Sequence, residues 1–113
     1  MANQANREQS DHFKRKVLAT VSAIPEGRVT TYGAIARRLR GTPRQVARVL
    51  ARLTDEESAV TPWFRVVGAG GFISTTKLGA VGRRQIARLH AEGVAVSPRN
   101  KVEGFQELAW LPA

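Results

Sequence analysis

Residues 31–53 read TYGAIARRLRGTPRQVARVLARL, and this stretch decides the fold. Thr30 or Thr31 can cap a helix that starts at Tyr32, because a threonine hydroxyl accepts an otherwise unpaired first-turn amide. Ile35, Ala36 and Leu39 then share one face, which predicts a short helix over 32–39. Gly41-Thr42-Pro43 breaks it, and Pro43 suits the first turn of a second helix over 44–53. Val46, Val49, Leu50 and Leu53 are its inward positions. Two short helices across a glycine-containing turn are a helix-turn-helix. Upstream, Asp11 is the expected cap of a longer support helix ending near Ile24, with Phe13, Val17, Leu18, Val21 and Ile24 inward. Residues 1–10 lack apolar periodicity and read as a disordered lead-in, so the domain is placed at 11–113.

Charge gives the helix pair a purpose. The 113-residue chain carries 18 basic and 9 acidic residues, a formal net charge of +9. That excess points to a polyanionic partner, nucleic acid before an anionic membrane surface. No acid lies between Glu26 and Asp55, whereas Arg28, Arg37, Arg38, Arg40, Arg44, Arg48 and Arg52 all do. Arg44, Arg48 and Arg52 recur every fourth residue, along one helix face, where like charges repel unless a partner neutralises them. The chain has no cysteine, which excludes disulfides, thiolate metal sites and a cysteine nucleophile. It contains no apolar run long enough to span a membrane and no visible secretory signal, so a cytoplasmic, nucleoid-associated protein is expected.

Beyond the helix pair, Thr54–Thr61 reads as an acidic loop. Residues 65–67 and 72–74 flank Gly68-Ala69-Gly70-Gly71 and are expected to form a β-hairpin, a wing. A third long helix over 79–92 has Leu78, Val81, Ile86 and Leu89 facing inward and Gly93 just past its end. A brief strand at 94–96 and a docking tail with Phe105, Leu108, Trp110 and Leu111 follow. The class is α+β, mostly helical, a single winged-helix or helix-turn-helix-like domain. One feature stands out: Trp63 and Phe64 are adjacent, and in a strand they would point to opposite faces.

Residues 24–36 (IPEGRVTTYGAIA), Arg44-Gln45-Val46, Pro62-Trp63-Phe64-Arg65-Val66 and Ala91-Glu92-Gly93-Val94 resemble the DNA-binding, C-terminal domain of O6-alkylguanine-DNA alkyltransferases. The signature of those repair proteins is Pro-Cys-His-Arg-Val. Here Trp63 stands at the cysteine position and Phe64 at the histidine position, a pattern similar to the alkyltransferase-like proteins. The resemblance implies binding of O6-alkylguanine in duplex DNA by nucleotide flipping, without repair, and signalling to nucleotide excision repair proteins. Dealkylation needs an activated thiolate, so no enzymatic activity and no cofactor are expected. Glu92 sits at the position of the family's relay glutamate, but Phe64 cannot pass it a proton, and a structural role is expected for it.

Carried over residue by residue, the resemblance gives Arg44 the role of the finger that fills the vacated base stack. The segment from Tyr32 to Arg44 is slightly shorter than in the family, which leaves Arg48 a competitor. Tyr32 would press on the target's 3′ phosphate. Ala47 and Ala51 would let the recognition helix approach the minor groove closely. Trp63 would wall the alkylguanine pocket, the backbone around Trp63 and Val66 would read the guanine edge, and Thr76 or Lys77 would close over it. Arg65 is expected to lie under the site as a structural residue. The alternative is a sequence-specific helix-turn-helix regulator using Arg44 and Arg48 in the major groove. It leaves the Pro62–Val66 motif unexplained, and no dimer interface is evident; a monomer is expected. An NTPase reading of the glycine turn fails for want of a Lys-Ser/Thr pair.

Overall fold

The computed structural model describes residues 2–73 and 79–113, with residues 2–7 described by their backbone. In chain order the elements are α1 (Ala2–Ser22), β1 (Thr30–Thr31), α2 (Tyr32–Leu39), α3 (Pro43–Ala51), α4 (Asp55–Val60), β2 (Val66–Val67), α5 (Ala80–Ala91) and α6 (Phe105–Leu108). Short 3-10 turns occupy Trp63–Arg65 and Ala69–Gly71.

The helix pair is built as its caps dictate. The Thr31 hydroxyl accepts from the Ala34 amide at 3.0 Å, and α2 ends at Arg40 in a left-handed conformation (φ 60°). Thr42 and Gln45 form a reciprocal capping box, with Pro43 in the first turn of α3. The turn between them is crowded: a Cβ on Gly41 would lie 2.8 Å from the Phe13 ring of α1. Glycine there lets α1 pack directly against the helix pair.

Two core clusters lie on either side of a small ladder. β1 and β2 pair in parallel, Thr30 with Val66 and Thr31 with Val67. Successive strand residues point to opposite faces, so Val66 joins Val17, Val21, Ile24, Ile35, Ala36 and Val46, whereas Val67 joins Val29, Phe64, Ile73, Leu89, Val94 and Val102. The tail runs beside β1. Val29 donates to the Leu108 carbonyl at 3.1 Å and accepts from the Trp110 amide at 2.7 Å, and the Arg28 guanidinium holds the Leu108 and Ala109 carbonyls at 2.9 and 2.8 Å. Phe105, Leu108 and Trp110 dock as expected, but Leu111 is 72% exposed.

Several local expectations are corrected. α1 runs from Ala2, so Asp11 is an interior residue and not the cap, and it ends at Ser22, short of Ile24. α3 stops at Ala51, short of Leu53. The acidic stretch is not a loop. Thr54 and Glu57 form a second capping box, and Asp55, Glu56 and Glu57 in the first turn suit the positive end of the dipole of α4. The hairpin is absent among the described residues: β2 pairs with β1, and Phe72 makes its bridge to Lys101. Residues 94–96 contribute a single bridge, Val96 to Val102. Val81 is 49% exposed and does not face inward, because the buried stripe of α5 runs through Gly82, Gln85 and Leu89.

Candidate nucleic-acid interface and the Trp63 turn

α3 turns Val46 into the core and packs Val49 and Leu50 against it, which fixes the opposite face outward. Arg44, Arg48 and Arg52 are all exposed there, Ala51 is exposed and Ala47 is half-buried. The ion pairs among the described residues are Lys14–Glu57, at 2.9 Å, and Arg65–Glu92, so the arginines of α3 face solvent without a protein counter-ion. Of the arginines from 28 to 65, Arg28 and Arg65 are spent on internal carbonyls and a carboxylate and Arg38 donates to the Ala113 carbonyl, whereas Arg37, Arg40, Arg44, Arg48 and Arg52 are exposed.

Tyr32, the first residue of α2, is half-buried against the first core cluster. It lines a groove with Thr31, Gly33, Arg37 and Pro43, closed on the far side by Gly68–Gly70 and the tail. The start of α3 and the Tyr32 ring therefore border one depression on the surface.

The adjacent rings are resolved by a turn, not a strand. Trp63, Phe64 and Arg65 form one 3-10 turn, in which successive side chains leave at about 120° to one another. Phe64 is 3% exposed in the second core cluster, and Trp63 lies half-buried on the outside of that cluster. Their rings meet edge to face, centroids 6.0 Å apart at 86°. Val66 is fully buried; its side chain belongs to the first cluster and its amide closes the turn on the Trp63 carbonyl.

α5 secures this turn with three side chains from one face. The buried Gln85 amide donates to the Phe64 and Val66 carbonyls at 3.1 and 3.0 Å. The Arg88 guanidinium lies over the Phe64 ring at 4.6 Å from its centroid, and that of Arg65 at 5.4 Å. Glu92, just past the helix end, accepts Arg65 Nε at 3.0 Å and the Gly27 amide at 3.0 Å, and also pairs with Arg65 Nη2. Arg65 Nη1 donates to the Ile24 carbonyl at 2.8 Å, so this pair ties together the end of α1, the Trp63 turn and the end of α5. Burial pushes the Glu92 carboxyl up, but the hydrogen bonds from Arg65 and Gly27 and the charges of Arg65 and Arg88 outweigh it and hold it below the usual carboxylate range.

Glu92 is thus a neutralised structural anion facing Arg65. Neither nucleophile nor base stands at the turn, and Trp63 offers an apolar ring where covalent chemistry would need a thiolate. Among the described residues no group of His, Cys, Asp or Glu could hold a metal ion, and no helix is long and apolar enough to cross a membrane. Thr76 and Lys77 lie outside the described residues. Sequence reasoning missed Gln85 and Arg88. The available signal was a polar residue, Gln85, one turn before Leu89 on the buried stripe of α5, followed by Arg88 and Glu92 at helical spacing.

Comparison with known proteins agrees with this geometry. Residues 12–94 match the family described as 6-O-methylguanine DNA methyltransferase, DNA binding domain. A DNA base-flipping protein of Escherichia coli is 42% identical over 113 residues, covering 97% of this chain and 83% of that protein. Alkyltransferase-like protein 1 of Schizosaccharomyces pombe is 38% identical over 108 residues, covering 90% and 97%. The crystal structure of S. pombe Atl1 in complex with damaged DNA containing O6-carboxymethylguanine superimposes with a TM-score of 0.77 at 36% identity, covering 90% of this chain and 97% of that one. With the family's DNA-binding domain over most of its length and tryptophan at the nucleophile's position, the chain belongs to the alkyltransferase-like proteins.

Proposed function

We propose that this protein binds duplex DNA containing O6-alkylguanine, rotates the lesion out of the stack and holds it against Trp63 without repairing it. The observation that carries this reading is the Trp63 turn: Gln85 clamps it from behind, and it presents a partly exposed indole where the chemistry would sit. An indole against an O6-alkyl group supplies apolar contact that plain guanine lacks, worth about 0.8 kcal/mol per buried methyl or methylene, which favours the adduct. The unpaired arginines of α3 support docking in the minor groove, with Arg44 entering the vacated stack and Arg48 one turn behind on the backbone. Ala47 and Ala51 keep that face low, and the position of Tyr32 beside the same groove supports its contact with the 3′ phosphate. The backbone around Trp63 and Val66 is the part of the turn assigned to the guanine edge. The protein acts as a monomeric damage sensor on the nucleoid, built from residues 11–113, and presents the bent duplex to nucleotide excision repair proteins.

Substitutions on the two elements test the assignment. Arg44→Ala weakens lesion binding far more than Arg48→Ala, and Trp63→Ala removes discrimination while leaving affinity for undamaged duplex nearly intact. A larger loss from Arg48→Ala moves the finger by one turn. Full discrimination in the Trp63→Ala protein removes the indole from the pocket.

A further inference from the structure

Phe64 differs from a routine core residue in what covers it. The ring is almost wholly buried, yet two guanidinium groups lie over it and the indole of Trp63 meets it edge to face. Arg65 is committed elsewhere, to Glu92 and the Ile24 carbonyl. Arg88 makes no ion pair among the described residues, although its charge acts on Glu92; it is exposed overall, and its contact with the ring is the shorter of the two. A long cation that could extend into water folds back onto an aromatic face. Gln85, three residues earlier on the same helix, fixes the backbone on either side of Arg65. With the backbone fixed, the free variables of the turn are the ring torsions of Phe64 and Trp63. Phe64 cannot rotate without losing both the Arg88 cation and the edge of Trp63.

We propose that Arg88 is a positioning residue that sets the orientation of Trp63, and with it the preference for the alkylated base, by clamping the Phe64 ring. The part concerning the alkylated base rests on the function proposed above. The clamp accounts for the pairing of residue types: phenylalanine at this position offers no hydrogen bond through which it could be oriented, and a cation over its face supplies the missing constraint.

The test uses the full chain and the variants Arg88→Met, Arg88→Lys, Phe64→Leu and the Arg88→Met/Phe64→Leu double variant. Acrylamide quenching of Trp63, read in a Trp110→Phe background, reports its packing without DNA. Binding to matched duplexes with guanine or O6-methylguanine reports the preference. Arg88→Met raises Trp63 quenching and lowers the lesion preference by about two- to five-fold, the factor expected for one partly exposed cation–π contact. Arg88→Lys retains most of both, and Arg88→Met adds nothing once Phe64 is leucine. Unchanged quenching in Arg88→Met overturns the proposal. So does an equal loss of affinity for both duplexes, which would make Arg88 a phosphate contact, or an Arg88→Met effect that persists without the ring. A wild-type protein that does not prefer the lesion refutes the proposed function, while quenching still decides whether Arg88 orients Trp63.

Discussion

Replacing Glu92 by glutamine removes one charge and almost no volume at the junction of α1, the Trp63 turn and α5. The Glu92 and Arg65 side chains are only 11% and 14% exposed, so the arginine left behind is poorly solvated. Breaking a fully buried pair costs about 3–5 kcal/mol. Here Arg65 keeps the Ile24 carbonyl and glutamine keeps one acceptor, so a loss of about 2–3 kcal/mol is expected. For a domain of this size that lowers Tm by about 8–12 °C. The carboxyl is held below its ordinary value of 4.5, so its contribution is fully present above that pH and is lost as pH falls through the folded-state value. Urea denaturation of both proteins from pH 7 down to pH 3 provides the assay. A difference that is large at neutral pH and shrinks below about pH 4.5 fits the structure. A difference under about 1 kcal/mol at pH 7 would show a solvent-screened pair, and one independent of pH would show that the carboxylate charge is not what stabilises the junction.

Three further outcomes follow from the geometry. Gly71→Ala places a Cβ 2.7 Å from the Phe105 ring at a φ of +92°, so denaturation should show a loss of at least about 2 kcal/mol; a neutral result would mean that the tail yields freely. Arg40→Gly relieves a left-handed non-glycine residue between α2 and α3 and should raise stability by about 1 kcal/mol, even as it removes a positive charge; destabilisation would contradict the cap geometry. Affinity for undamaged duplex should fall with a log–log salt slope of about −3 to −5, as expected when several arginines displace counter-ions, and Arg52→Ala should make it shallower by about one; a flat salt dependence would remove the α3 face from the contact.

The helix pair was legible because its punctuation is chemical: a threonine before each helix, a proline at the start of the second and apolar residues at helical spacing. α4 was not, since six residues carry no readable period and its acidic composition mimics a loop. The two-residue strands were not legible either. Alternation needs length, and Val66–Val67 finds its partner across three helices, so the glycine turn invited a hairpin that does not form. The structural role of Arg65 could be read from the motif, and the adjacency of Trp63 and Phe64 already set their rings on different sides. Their supports on α5 could not, because a buried glutamine and a folded-back arginine act through tertiary contacts that spacing only hints at.

The central claim is recognition without chemistry, and one experiment addresses both halves. Matched duplexes carrying guanine or radiolabelled O6-methylguanine are titrated with the protein, and the bound fraction is then assayed for label on protein and DNA. Tighter binding to the methylated duplex, with every methyl group still on the DNA, is the predicted result. Equal affinity for the two duplexes, or label transferred to the protein, would contradict it.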